Sequence, residues 1–364
     1  MKLKSIKLKN YRNYDSLNIN LDENTNIFSG DNAQGKTNIL ESIYMGATSK
    51  SHRSSKDREI IKFDEEESHI EMILEKNGIE LCIDMNLKKN SPKGIAINKI
   101  PIRRATELFG TINTVFFSPE DLNIIKNGPA ERRRFIDLEL SQLDKIYLND
   151  LSNYNRIVNQ RNKLLKDSFE NNDLLETLEI WDIQLVDYGN KVIKRREKFI
   201  EELNDIIKSI HSTLSGGKEI LKIDYEKSTG NYSLEDCLEK NKKRDIKMKS
   251  TSIGPHRDDV CFLINDVDIR KYGSQGQQRT AALSLKMEEI ELVKIIIKDT
   301  PILLLDDVLS ELDKNRQTYL LENIHNIQTL ITCTGVDEFV KNRFHIDKVF
   351  CVENGKIINE SKED

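Results

Sequence analysis

Gly30-Asp31-Asn32-Ala33-Gln34-Gly35-Lys36-Thr37 satisfies the pattern G-x-x-x-x-G-K-[ST] at every fixed position, and no other stretch limits the fold as tightly. Such a loop works only where a strand ends and a helix begins. Asn26-Ile27-Phe28-Ser29 reads as the strand, and Asn38-Ile39-Leu40-Glu41-Ser42-Ile43 as the helix. The glycines let backbone N–H groups turn onto phosphate oxygens, and the helix N-terminus adds its positive end. Lys36 is placed to balance β- and γ-phosphate charge, and the Thr37 hydroxyl to coordinate Mg²⁺. The candidate nucleotide-binding residues are therefore Gly30, Asp31, Asn32, Ala33, Gln34, Gly35, Lys36, Thr37 and Asn38.

Pro301-Ile302-Leu303-Leu304-Leu305-Asp306-Asp307 is the natural partner. Four consecutive apolar residues predict a strand buried on both faces, and carboxylates at its C-terminal end sit where parallel sheets bind ligands. Asp306 is the candidate metal residue beside Thr37. Asp307, with Lys36, is the candidate catalytic residue, orienting or deprotonating the attacking water. Alone, a strand ending in Asp-Asp is more often a strand-to-loop cap; the phosphate loop gives it its chemical reading. A third element, Tyr272-Gly273-Ser274-Gln275-Gly276-Gln277-Gln278-Arg279, opens a long helix expected over 277–298. Ser274 and Gly276 present a hydroxyl and free N–H groups at a positive helix end, a second anion site, although a serine N-cap with a polar first turn has the same composition.

The texture changes along the chain. Short strands are expected at 17–21, 69–74, 80–87 and 114–117, with Asn77-Gly78 as a hairpin turn. From Pro129 apolar residues recur in steps of three and four, through Ile136, Leu140, Leu143, Tyr147, Leu151, Tyr154 and Val158. After the polar stretch Asn171-Asn172-Asp173 a second stripe runs from Leu174 to Leu214. The pattern predicts two long helices packed antiparallel like a coiled coil. Strand and helix then alternate again over 260–352. The expected fold class is α/β, with a head built from residues 1–118 and 251–364 and a helical arm inserted at 119–250.

Charge and cysteine usage narrow the setting. Against 61 acidic residues stand 56 lysines and arginines, a net charge of −5, so binding to nucleic acid has to come from local runs. Lys50, Arg53 and Lys56 are the candidate DNA contacts; Arg132-Arg133-Arg134, Lys194-Arg195-Arg196 and Lys242-Lys243-Arg244 read either as solvated helix faces or as reserves for the same role. Cys82, Cys237, Cys261, Cys333 and Cys351 form no C-x-x-C pair, which argues against a zinc hook or a disulfide framework and suits a reducing cytoplasm. No apolar run approaches the length of a membrane span, so no membrane association is expected.

The three elements together resemble the ABC-type ATPase heads of the SMC-like group, and within it the RecF family of bacterial recombination and gap-repair proteins. The resemblance is carried by Leu8-Lys9-Asn10-Tyr11-Arg12-Asn13-Tyr14, the loop Gly30 to Asn38, Phe117-Ser118-Pro119-Glu120-Asp121-Leu122, Gly254-Pro255-His256-Arg257-Asp258-Asp259, Ser274 to Thr280 and Leu305 to Asp313. It implies an ABC-type head, an ATP-dependent homodimer with two composite sites, and binding to DNA where duplex meets a single-strand gap. It also implies work with RecR and RecO to load RecA, with slow DNA-stimulated hydrolysis of ATP. By position, Ser274 and Gly276 touch the γ-phosphate held by the partner subunit, and residues 310–313 form a loop across the dimer interface. Ala33 stands where many SMC-like loops carry glycine, Asp307 where transporters carry glutamate, and no histidine follows the expected strand 329–332. An ABC transporter subunit and a non-hydrolysing ATP-gated DNA clamp are the competing readings.

Overall fold

The computed structural model describes residues 1–54, 56–169, 172–335 and 346–362. Contacts divide it into two compact units, Met1–Asp121 with Glu289–Asp364, and Leu122–Glu288. The expected boundaries lay at 118/119 and 250/251; residues 251–288 cluster with the second unit because their strands and side chains are tied to its helices.

In chain order the first unit opens with β1 (Lys2–Tyr11), β2 (Tyr14–Asn20), β3 (Thr25–Ser29) and helix α1 (Lys36–Thr48). Strands β4 (Glu67–Lys76), β5 (Ile79–Lys88), β6 (Ser91–Ile97), β7 (Ile100–Pro101) and β8 (Thr114–Phe117) follow. The second unit holds α2 (Leu122–Lys126), α3 (Pro129–Leu143), α4 (Lys145–Asp167), α5 (Leu178–Leu214), β9 (Leu221–Glu226), α6 (Leu234–Met248), β10 (Asp259–Ile264), β11 (Val267–Asp268) and α7 (Ile269–Tyr272). Helix α8 (Gln275–Ile297) contains the division between units. The chain then returns to the first unit with β12 (Ile302–Asp306), α9 (Val308–Glu311), α10 (Lys314–Asn323), β13 (Thr329–Cys333), β14 (Lys348–Glu353) and β15 (Lys356–Lys362).

Two six-stranded sheets make the first unit: antiparallel β2-β1-β4-β5-β6-β7, and β15-β14-β3-β13-β12-β8, which is parallel from β14 to β8. Helix α1 packs against both sheets and is buried at 11 of its 13 residues, so it is enclosed on almost every side and no narrow apolar stripe marks it. Every residue of β12 is buried, as its Ile-Leu-Leu-Leu run requires of a central parallel strand. The sequence reading leaves β1, β6, β7 and β15 unassigned; the signal for β1 was present in lysines 2, 4, 7 and 9 pointing out between buried Leu3, Ile6 and Leu8.

In the second unit the two apolar stripes become α3 to α5, with one difference. Asp144 accepts hydrogen bonds from the Ile146 and Tyr147 N–H groups at 2.9 and 3.0 Å, capping α4 and splitting the first stripe in two. Helices α4 and α5 run antiparallel: Asp144 pairs with Arg195, and Arg161 with Asp182. At 37 residues α5 is about 55 Å long. Asn171, expected in the link, lies outside the described residues.

In two of the basic runs one arginine departs from either expected reading. Arg132 is buried against Asp259 at 2.7 Å, and Arg196 is buried between Asp137, the Tyr147 hydroxyl and the Pro255 carbonyl. These guanidiniums are neither solvated nor open to phosphate. They converge on residues 254–259, where Tyr225 donates to Asp258, and His256 meets the Tyr154 hydroxyl at 2.6 Å. Burial lowers the His256 imidazole to about 4, which keeps it neutral in this knot. The segment quoted for its resemblance is thus a structural junction of α3, α4, α5, β9 and β10.

Candidate functional site

Strand β3 delivers the chain to the loop between two parallel neighbours, β13 and β14, and α1 leaves it. The Lys36 ammonium is folded inward, donating to the carbonyls of Gly30 at 2.6 Å and Asp31 at 2.9 Å. Asp31, Asn32 and Ala33 form the exposed rim. Ala33 takes φ +64°, the left-handed conformation for which glycine is usual, so the departure from the glycine pattern is met by backbone strain and not by a different loop path.

Two turns brace the loop from outside. Asn13 donates to the Gln34 carbonyl at 2.9 Å and accepts from Asn38 at 2.8 Å, while the Tyr14 hydroxyl donates to the Gly35 carbonyl at 3.1 Å. From the other side the Gly355 N–H donates to the Gln34 carbonyl at 3.0 Å and the Asn354 N–H to the Gln34 side chain at 2.6 Å. Gly35 has φ +113°, and a Cβ there would stand 2.6 Å from Asn13 Nδ2. Asn13, Tyr14, Asn354 and Gly355 were absent from the candidate residues, since nothing local in the sequence says which turn meets which loop.

At the end of β12, Asp306 accepts from the Thr37 hydroxyl and from the Thr332 hydroxyl, both at 2.7 Å. Thr332 lies on β13, the strand between β3 and β12, and also accepts from the Asp307 N–H at 3.0 Å. The two expected metal residues are therefore in contact, and Thr332 is the residue the motif reading missed. Asp307 turns out of the strand with φ +52°. Burial raises its carboxyl above the usual carboxylate range; the Lys36 charge opposes this, and Asp306 and Glu311 add to it. A hydroxyl and a carboxylate side by side are hard oxygen donors, the set Mg²⁺ takes from protein beside a triphosphate.

One turn into α1, Glu41 is fully buried and bound by Arg12 through two bonds of 2.6 and 2.9 Å, by Ser51 at 2.5 Å and by Arg53 at 3.0 Å. Burial by itself would raise its carboxyl; the two guanidiniums and the Ser51 hydroxyl outweigh that and hold it at about 2. Arg53 also donates to Asn38 at 2.5 Å. Of the three expected DNA contacts, Arg53 is exposed, but its guanidinium is committed to Glu41 and Asn38. Lys50 and Lys56 are exposed and pair with no carboxylate among the described residues. Ser55 lies outside the described residues.

In the second unit, Ser274 caps α8 in a reciprocal box: its Oγ accepts from the Gln277 N–H at 3.2 Å, and Gln277 Oε1 accepts from the Ser274 N–H at 2.9 Å. The Ser274 amide, expected to be free, is therefore used. The Ser274 hydroxyl proton and the N–H groups of Gln275 and Gly276 have no acceptor among the described residues, and all three residues are exposed. They are the donors this helix start presents outward.

A phosphate loop on a parallel strand, with an aspartate-bearing strand one position beyond its neighbour, defines a P-loop ATPase head, and the capped helix start adds the ABC-type signature. The family model described as the RecF/RecN/SMC N-terminal domain matches residues 2–358. The chain is 61 % identical over 363 residues to the DNA replication and repair protein RecF of Lachnospira eligens, covering 99 % of this chain and all of that one. Against RecF of Agathobacter rectalis it is 62 % identical over 357 residues, covering 98 % and 99 %. Among solved structures, the recombination mediator protein RecF with ATP in the RecFOR pathway superposes with a TM-score of 0.92 at 37 % identity, over 100 % of this chain and 98 % of that one. An Smc head domain of Pyrococcus furiosus, at 14 % identity and a TM-score of 0.55 over 99 % and 96 %, shares the fold. The chain belongs to the RecF family.

Proposed function

We propose that this protein is an ATP-driven DNA clamp of recombinational and replication-gap repair, closing as a homodimer around two shared nucleotides. The observation that carries the reading is the pair of half-sites. One is the Lys36, Thr37, Asp306 and Thr332 constellation; the other is the exposed donor set of the Ser274 hydroxyl and the Gln275 and Gly276 N–H groups, which has no acceptor among the described residues. ATP takes the place of the loop carbonyls on Lys36, with Gly30 to Asn38 around its phosphates. Thr37 and Asp306 would hold Mg²⁺, which would supply neutralisation of phosphate charge. Asp307, raised by burial and set at the strand end, orients the attacking water and accepts its proton. Ser274 and Gly276 of the second copy close the site. The relatives described as acting in the RecFOR pathway support placing this chain with RecO and RecR, helping to load RecA at single-strand gaps. Lys50 and Lys56 face the DNA backbone, with Arg53 holding their segment to α1.

Mixing two inactive variants tests the shared site. Lys36→Ala disables a loop, and Ser274→Arg puts a bulky cation at the signature while leaving the subunit's own loop intact. In the heterodimer both defects fall in one site and the other site is whole, so DNA-stimulated ATP hydrolysis absent from either variant should return on mixing. Heterodimers that form and stay inactive would count against two independently competent shared sites.

A further inference from the structure

Glu219 follows α5 and has no place in the loop, the metal pair or the signature run. Its carboxylate is nevertheless committed at both oxygens: Oε1 accepts from Gln277 Nε2 at 2.9 Å, and Oε2 lies 3.3 Å from His211 Nε2. His211 is fully buried near the end of α5, and its other ring nitrogen meets the Ser284 hydroxyl at 2.9 Å. Ser284 in turn donates to the Thr280 carbonyl, one turn back along α8. The carboxylate thus faces His211 of α5 with one oxygen and holds the Gln277 amide of α8 with the other.

Gln277 is the residue that shapes the helix start. The same side chain whose Nε2 is held by Glu219 uses its Oε1 to take the Ser274 N–H, and its backbone N–H fills the inward lone pair of Ser274 Oγ. With those two positions filled, the Ser274 hydroxyl proton has only outward directions left. A glutamine amide left to itself rotates among several rotamers and competes for water; an anchored one keeps the donor set in one arrangement before any phosphate arrives. We infer that Glu219 is a positioning residue of the shared site, acting through Gln277 on the nucleotide held by the other subunit. The inference rests on the shared-site reading above.

Full-length Glu219→Ala, Glu219→Gln, Gln277→Ala and the double variant Glu219→Ala/Gln277→Ala would be compared with the parent chain. MgATP binding would be followed by calorimetry, ATP-dependent dimerisation by sedimentation velocity, and folding by thermal melting. Glu219→Ala should bind MgATP as the parent does, because the loop is untouched. Its dimerisation should weaken roughly tenfold, the scale of one lost hydrogen bond to a charged group, and Glu219→Gln, which keeps the acceptor oxygen, should recover most of it. The double variant should be no weaker than Gln277→Ala alone, since Glu219 acts only through that side chain. Additive losses, or Glu219→Ala dimerising like the parent, would overturn the inference. Ser274→Arg serves as the control. If that variant dimerises with ATP as the parent does, the shared-site reading itself fails; if it does not and Glu219→Ala is silent, only the positioning role falls.

Discussion

Glu41 shows how much a single buried charge carries in this head. Sealed in α1 and surrounded by Arg12, Arg53 and Ser51, its carboxyl is held at about 2 against an ordinary 4.5. That difference corresponds to ~3 kcal/mol of folding free energy. Because the folded group titrates below the unfolded one, the stabilisation is whole above pH 4.5 and is lost as pH falls from 4.5 towards 2. Glu41→Gln should therefore lower the stability of the head by roughly 3 kcal/mol at pH 7, since it leaves two guanidiniums without their shared anion. Urea titration checks it: the gap between parent and variant should narrow on acidification below pH 4.5, and a gap that is constant with pH would mean the charge is not the cause. Nothing in the motif marks Glu41. It was legible only as one position of an apolar helix, and its partners come from the turn after β1 and from the loop after α1.

At the scale of elements, the phosphate loop is not self-supporting. Its strand and helix were plain in the sequence, as was the hairpin turn Asn77-Gly78; what could not be read is that the turn Asn354-Gly355 lands on Gln34. Gly355 has φ +69°, and a Cβ there would run into the Asn13 carbonyl, so the two turns that grip the loop touch each other as well. Gly355→Ala should loosen this brace, which joins residues 320 positions apart at Asn354 and Gln34. MgATP affinity should fall about tenfold, roughly the worth of one or two hydrogen bonds, while the isolated chemistry of Lys36 and Thr37 is unchanged. Calorimetry with MgATP decides it, with affinity equal to the parent counting against the brace. The Asp144 break belongs to the same scale. The stripe from Ile136 to Val158 keeps its helical period through the break, because α3 and α4 bury faces in the same register, and only the Asp144 cap separates them.

For the molecule as a whole, a net charge of −5 leaves the proposed DNA binding to local faces, and burial decides which basic residues can serve. Arg132 and Arg196 are withdrawn into ion pairs, whereas Lys50 and Lys56 stay exposed and without a carboxylate partner among the described residues. Lys50→Ala and Lys56→Ala should each reduce the slope of log affinity against log salt by about 0.9, with MgATP affinity preserved. Arg53→Ala should change stability more than slope, because its guanidinium is spent on Glu41 and Asn38. Fluorescence anisotropy on duplex DNA across a salt series separates the two, and an unchanged slope in the lysine variants would move the DNA face elsewhere. The amino-acid sequence by itself determined the phosphate loop with its flanking strand and helix, the buried strand ending in Asp306 and Asp307, the signature helix start and the paired long helices. Each of these is written in residues close together along the chain, where spacing and periodicity reflect local backbone geometry. Only the tertiary structure decided that Thr332 joins Thr37 and Asp306, that Asn13 and Gly355 hold the loop, that Glu219 holds Gln277, and that Arg132 and Arg196 are buried. Those are contacts between residues tens to hundreds of positions apart, set by strand order and helix packing, and no local pattern records which side chain the fold will bring opposite another.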